Sequence, residues 1–305
     1  MRIILIGQAA FAEKVLDRVL ENGHDVAAVY CPPDATGGKP DPVKVRAAAR
    51  GIPVRQHASL KRPEVVQEFK DLGADLGVLA YVTQIVPQSV FEVPRRGSIC
   101  FHPSLLPKYR GGSAIPWQLI KGETQGGVTV FWVDPGIDTG PILLQKSAPI
   151  DADDTAGSLY FNKLFGLGVD TVVESVELIA AGTAPRVPQD ESQSSYDPLC
   201  RDEHVAIDWS RPLRDVYNLI RGADPQPGAY TMFNGEKLRL YDCRAIAGGV
   251  HQPGVVEEIS AEALVIGASG GAIRAKRVRT GNQKVAAAEF AATHGLRPGF
   301  AFTPS

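Results

Sequence analysis

Two short apolar runs flank an amphipathic stretch at the start of the chain, and five more, divided by glycine-bearing turns, lie towards its end. With a length of 305 residues, these observations predict an α/β protein of two domains. The first is a Rossmann-like domain with a mostly parallel sheet; the second is a small, OB-like β-barrel. Expected boundaries are 1–183 for the sheet domain, 184–203 for a linker and 204–305 for the barrel. Hydrophobic residues make up 44% and charged residues 22%, a balance that excludes a disordered chain. Lys+Arg 32 against Asp+Glu 34 leaves a formal charge of −2, so a polyanionic partner would have to meet a local patch. No run approaches the roughly 20 apolar residues of a membrane span. The opening Met1–Gly7 is too short before its glycine for a secretion signal. A cytoplasmic protein without a membrane partner is therefore expected. The cysteines Cys31, Cys100, Cys200 and Cys243 contain no C-x-x-C pair and suit neither a zinc site nor a disulfide scaffold.

Ile3–Ile6 reads as a buried strand closed by Gly7. Phe11, Val15, Leu16, Val19 and Leu20 recur at helical spacing, Gly23 ends that helix, and Asp25–Tyr30 supplies a second strand. This is a βαβ unit. Its turn keeps only the first glycine of G-x-G-x-x-G, so the backbone cannot approach a pyrophosphate as a dinucleotide site requires. Cys31–Pro42 is a surface loop; helices are expected over Val43–Arg50 and Pro63–Leu72, strands over Ile52–Val54, Leu76–Ala80 and Gly97–Phe101. Pro103 keeps His102 extended at a strand's carboxyl end, where ligands of open α/β sheets gather. Gly127–Val133 and Ile142–Gln145 are further strands, and one long helix spans Asp154 to Ala181. Pro and Gln/Ser content marks Ala184–Asp197 as linker. Beyond it come a helix at Leu213–Ile220 and strands at Ala229–Phe233, Lys237–Cys243, Gly254–Ile259, Ala263–Ile266 and Ala272–Val278.

Chemistry concentrates in two segments, Phe101–Gly112 and Asp134–Gly140. A histidine after a strand is often merely structural, and aspartates in glycine-rich turns usually serve the turn itself. Their co-occurrence at strand ends of one sheet is what points to a site. A His–Asp pair there can supply an oxyanion donor and a proton acceptor. No G-x-S-x-G elbow surrounds Ser104, and neither H-E-x-x-H nor a phosphate-binding P-loop is present. The residues thus allow general acid–base chemistry on a small substrate and do not choose which.

His102-Pro103-Ser104-Leu105-Leu106-Pro107 with Arg110-Gly111, then Gly126-Gly127-Val128-Thr129 and Gly136-Ile137-Asp138-Thr139-Gly140, resemble the 10-formyltetrahydrofolate formyltransferase family. Ala184-Pro185-Arg186, Pro188-Gln189, Ile207-Asp208-Trp209 and Ile220-Arg221-Gly222 extend the likeness over nearly the whole chain. The resemblance implies that His102 and Asp138 are catalytic and that 10-formyltetrahydrofolate is consumed and tetrahydrofolate released, without a metal. It places Gln84, Ile85 and Val86 on the pterin pocket, with Ser104, Leu105, Leu106 and Pro107 among its other walls. Arg110 either meets an anionic substrate group or caps local carbonyls.

Two departures refine the expectation. The family's catalytic Asn falls at Cys100, and a thiol is the weaker donor to a tetrahedral oxyanion, where an amide can contribute about 2.7–4 kcal/mol. The hydrolase domain of 10-formyltetrahydrofolate dehydrogenases also lacks that Asn and shares the His-Pro-Ser motif. In methionyl-tRNA formyltransferases the loop after the second strand is long and basic; here Cys31–Pro42 holds one lysine and two aspartates. Arg274, Lys276, Arg277, Arg279 and Lys284 form either an RNA face or an ordinary solvated strand edge. A nucleophilic Cys100 is disfavoured, because Cys is commonly a small buried hydrophobe. The resulting expectation is hydrolysis of the formylfolate to formate, or transfer to a small amine, with a tRNA partner disfavoured. Methionyl-tRNA formylation is the alternative; a sugar-nucleotide amine formyltransferase and an inactive folate-binding module follow.

Overall fold

Ile3–Ile6 has no polar side chain to solvate, and it forms the buried part of β1 (Arg2–Gly7), with Ile3, Ile4 and Leu5 fully buried. In the computed structural model, which describes residues 1–302, the chain divides into two units. Met1–Gly112, Gly127–Ala148 and Asn162–Tyr196 build the first; Ser113–Gly126, Pro149–Phe161 and the chain from Asp197 build the second. The expected linker is shared between them. Its first part docks on the first unit, where Val187 bridges Ile142 and the Trp132 indole donates to the Pro185 carbonyl at 2.8 Å. Composition marks that stretch as extended; it does not reveal that the extended chain is held.

After β1 come α1 (Ala9–Glu21), β2 (Asp25–Cys31), α2 (Pro42–Ala49), β3 (Val54–Gln56), α3 (Pro63–Leu72), β4 (Leu76–Ala80), α4 (Gln88–Phe91) and β5 (Ser98–His102). α5 (Ala114–Ile120), β6 (Gln125–Trp132), β7 (Ile142–Pro149) and α6 (Ala156–Leu159) follow. A π turn at Tyr160–Leu164 then leads to α7 (Phe165–Ala181), so the expected long helix is interrupted. Thr155 and Ser158 close a capping box at its start. The third strand lies two residues later than expected: Pro53 has no N–H to give a ladder, and its carbonyl instead accepts from Val29 at 2.9 Å.

The seven strands run β3-β2-β1-β4-β5-β6-β7. β1 to β5 are parallel to their neighbours, and β6 is antiparallel to β5. Alternation assigns the two faces of β5. Phe101 stacks on Phe11 of α1 at 4.2 Å, and a Cβ on Gly168 of α7 would lie 2.5 Å from the Phe101 ring. Cys100 faces the opposite way, packing against the cluster that holds Val65, Phe69, Leu79 and Val90. By the same two-residue period, His102 emerges on the Cys100 side.

Strand order reverses between β1 and β4, where a crevice lined by Gly7, Gln8, Tyr81, Thr83 and Gln84 opens at the carboxyl ends. The backbone N–H of Ala9 at the start of α1, which a dinucleotide fold turns towards phosphate, is already used. Both Asp41 oxygens accept from it at 3.0 Å, while Oδ1 also caps α2 through Val43 N. A side-chain carboxylate thus fills the position a pyrophosphate would claim.

In the second unit α8 (Leu213–Ala223) packs with β8 (Tyr230–Phe233), β9 (Glu236–Ala247), β10 (Val256–Ile259), β11 (Leu264–Ala268), β12 (Gly271–Thr280) and β13 (Gln283–Ala286). The antiparallel sheet runs β10-β11-β12-β9-β8. β12 curls it by pairing β11 through Gly271–Ala275 and β13 through Arg277–Thr280. β13 and the helix α9 (Ala287–His294) are additions to the sequence reading; β13 is four residues long and buries none of its side chains, which leaves little apolar alternation to detect. Among the described residues no helix is long and apolar enough to cross a membrane.

Removing the Asp41 carboxylate strips two helix starts of one acceptor. Asp41→Ala is expected to lower the unfolding free energy by about 1–2 kcal/mol in urea denaturation at neutral pH; an unchanged midpoint would deny it that role.

Candidate active site

His102 ends β5, is 5% exposed, and is held at both ring nitrogens. Nε2 lies 2.7 Å from the Tyr109 carbonyl oxygen. A carbonyl can only accept, so Nε2 carries the proton. Nδ1 then faces Asp138 Oδ2 at 3.5 Å, too long for a firm hydrogen bond and close enough for an ion pair. In the neutral ring Nδ1 is an acceptor; it becomes a donor only when the imidazole is protonated.

Asp138 belongs to a turn whose shape its own residues enforce. Asp134 Oδ1 accepts from Gly136 N at 3.1 Å and from the Thr139 hydroxyl at 2.6 Å. A Cβ at Gly140 would sit 1.7 Å from the Trp132 carbonyl oxygen, so no other residue fits there. Asp138 itself adopts φ +56°, an uncommon conformation for a side-chain-bearing residue that neighbours must hold. Gly111 N donates to Oδ2 at 2.8 Å, while Oδ1 has no protein donor among the described residues and is the oxygen available to accept a proton.

The remaining expected site residues divide. Ser104 is fully buried, its hydroxyl donating to the Lys108 carbonyl at 2.7 Å, and Leu106 is 3% exposed. Thr129 and Gln145 fasten that loop: the Thr129 hydroxyl meets Ser104 O and Leu106 N, and Gln145 donates to Leu106 O. Leu105 and Pro107 are half-buried, with Leu105 against the backbone of Gly127. Gln84 reaches the crevice but spends its amide on the His57 carbonyl at 3.1 Å. Ile85 is 71% exposed, whereas Val86 packs into the core below. Arg110 is buried and its guanidinium is bound to Gln189 and Glu191. Of its two sequence readings, the substrate contact finds no support in this arrangement; the group serves the protein's own acceptors.

Cys100 lies two residues before His102, as the departure from the family motif required. Burial, and then the Asp138 charge, push its thiol well above the ordinary range, which opposes a thiolate nucleophile. The expected basic face of the second unit is largely committed. Arg274 pairs with Glu262, Arg277 with Asp242, Arg279 donates to Pro227 O, and Lys284 stands 3.6 Å from the Tyr241 ring centroid. In the 31–42 loop Asp34 holds Lys44 and Asp41 serves the two helices. Sequence reasoning missed Gln189 and Gly111 N as partners of Asp138; the pairing of Pro188-Gln189 with Arg110 is visible only in space.

An imidazole and a carboxylate thus meet at the carboxyl edge of a Rossmann-like sheet, with a curled antiparallel domain following in sequence. Residues 1–171 match the family described as formyl transferase, and residues 200–295 its C-terminal domain. The chain belongs to the formyl transferase family. It is 41% identical over 273 residues to the cytosolic 10-formyltetrahydrofolate dehydrogenase of Mus musculus, covering 84% of this chain and 30% of that one. The chain thus spans about a third of the length of that relative. With the methionyl-tRNA formyltransferase of Geobacter metallireducens it shares 38% identity, covering 98% of this chain and 97% of the relative. HypX from Aquifex aeolicus in complex with tetrahydrofolic acid superposes with a TM-score of 0.72 at 20% identity, covering 100% of this chain and 51% of that one, a likeness of fold.

With its thiol held protonated, Cys100 is expected to resist iodoacetamide at pH 8 in the native protein and to react after unfolding. Peptide mass mapping of the labelled chain reads the difference; rapid native labelling at Cys100 would deny that its thiol is held protonated.

Proposed function

We propose that this protein hydrolyses 10-formyltetrahydrofolate to formate and tetrahydrofolate, or passes the formyl group to a small amine. The observation that carries the reading is the His102–Asp138 pair, 3.5 Å apart, with Cys100 where the family motif has Asn. Asp138 Oδ1 takes a proton from the attacking water as its oxygen bonds to the formyl carbon. When its ring carries a second proton, at Nδ1, the His102 imidazolium stabilises the oxygen that becomes negative in the tetrahedral intermediate. The oxyanion then re-forms its carbonyl, the C–N10 bond breaks, N10 takes the proton that Asp138 received, and the product leaves as formate. The folate's pterin enters the crevice at Gln8 and Tyr81–Gln84, where backbone groups can read its donor–acceptor edge and the exposed Ile85 can cover its ring. A thiol at position 100 gives the oxyanion a weaker donor than an amide would, which slows transfer to an amine.

One observation favours a second reading. The methionyl-tRNA formyltransferase relatives match this chain end to end, at 98% and 97% coverage. Against a tRNA acceptor stand the internally paired cations of the second unit and the single lysine, Lys39, of the 31–42 loop, since phosphate binding depends on available cations.

Incubation with 10-formyltetrahydrofolate alone is expected to release tetrahydrofolate, followed by its absorbance; turnover that begins only when methionyl-tRNA is added would transfer the assignment to the second reading. Asp138→Ala should lower kcat by about 10²–10⁴-fold while folate affinity, measured by calorimetry, stays within about threefold. An unaltered rate removes Asp138 from the chemistry. Cys100→Asn restores an amide donor and should raise formylation of an amine acceptor by about tenfold or more, within the range such donors supply; no gain would show that the thiol is not what limits transfer.

A further inference from the structure

Asp138 is held at φ +56° from two sides. Gly111 N fixes its carboxylate, and its own carbonyl is fixed elsewhere: Gln189 Nε2 donates to Asp138 O at 2.8 Å and to Gly140 O at 2.7 Å. The other end of the same amide is occupied as well. Gln189 Oε1 accepts from Arg110 Nε at 3.2 Å and from Nη2 at 2.7 Å, while Glu191 takes Nη1 and Nη2 at 2.9 and 2.6 Å. Arg110 is buried, so its charge must be matched inside the protein, and the match fixes which way the Gln189 amide points. An amide with its oxygen committed to a cation has both N–H donors free for the turn.

The same segment frames His102. Ser195 accepts from Arg110 N through its carbonyl at 2.9 Å and from Tyr109 N through its hydroxyl at 2.8 Å, and Tyr109 O is the acceptor for His102 Nε2. Residues 189–195 therefore brace both partners of the pair, one through 109–110 and the other through the 138–140 turn.

We infer that Gln189 is a positioning residue for the reaction: oriented by Arg110, its amide holds the 138–140 turn so that the Asp138 carboxylate stays on Gly111 N with Oδ1 open to the acceptor. The inference rests on the proposed role of Asp138 as the base. Gln189→Glu keeps an oxygen for Arg110 and replaces the two donors by an acceptor, set against two carbonyls.

In the full-length protein this variant is expected to lower kcat by about 10–100-fold with KM within about twofold, as a misplaced base does. Combined with Asp138→Ala it should cost no more than about twofold beyond Asp138→Ala alone, because both act through one carboxylate. A readout without turnover accompanies this. Amide hydrogen exchange should quicken about tenfold at Gly111, which loses its acceptor, and stay unchanged at Tyr109, which Ser195 holds. Gln189→Met, of similar size and without an amide, should reproduce the pattern. Equal penalties with and without Asp138, or unchanged exchange at Gly111, would overturn the inference, as would loss of the folded state in both variants. If the wild-type protein turns over no formylfolate, the proposed function fails while the exchange measurement still decides the role of Gln189.

Discussion

A buried guanidinium needs acceptors, and at Arg110 that need organises the site. Its five donors leave no room for a partial solution: Gln189 and Glu191 take the side chain, Ser195 takes the backbone N–H. Meeting those demands pulls an extended, polar stretch of chain onto the carboxyl edge of the sheet. The 138–140 turn is then secured through the far end of the Gln189 amide, and His102 through the carbonyl of Tyr109. The His102–Asp138 pair is thus held mainly by main-chain atoms whose partners are already fixed, which is how a 3.5 Å gap can persist between two groups from different loops.

The sheet supplies the platform on which this rests. Its reversal of order between β1 and β4 opens a crevice, and Gly7 makes that crevice narrow: a Cβ there would be 2.2 Å from the Ala80 carbonyl oxygen. Asp41 occupies the start of α1, so the fold keeps the layout of a nucleotide-binding sheet while giving up the phosphate position.

Much of this was legible along the chain. β1, α1 and β4 follow from period alone, because Ile3–Ile6 and Leu76–Ala80 are unbroken apolar runs and the buried face of α1 repeats at helical spacing. His102 at a strand end follows from Pro103, and Asp138 in a tight turn follows from its flanking glycines. Legibility failed wherever polar residues carry the structure. β13 has almost no apolar signal, and residues 184–196 look like tether because Pro, Gln and Ser are what tethers use. Arg110 was ambiguous for the same reason: its charge says that it is bound, not to what.

Sequence by itself determined the sheet, the two-domain order, the family and the presence of a His and an Asp in its two motifs, since these depend on local period and on short motifs. Tertiary structure alone decided which His102 nitrogen is protonated, which Asp138 oxygen remains open, and that Gln189 lies between Arg110 and the turn. Hydrogen bonds between groups 7, 27, 51 and 79 positions apart share no period to read; they exist only once packing has brought donor and acceptor within about 3 Å.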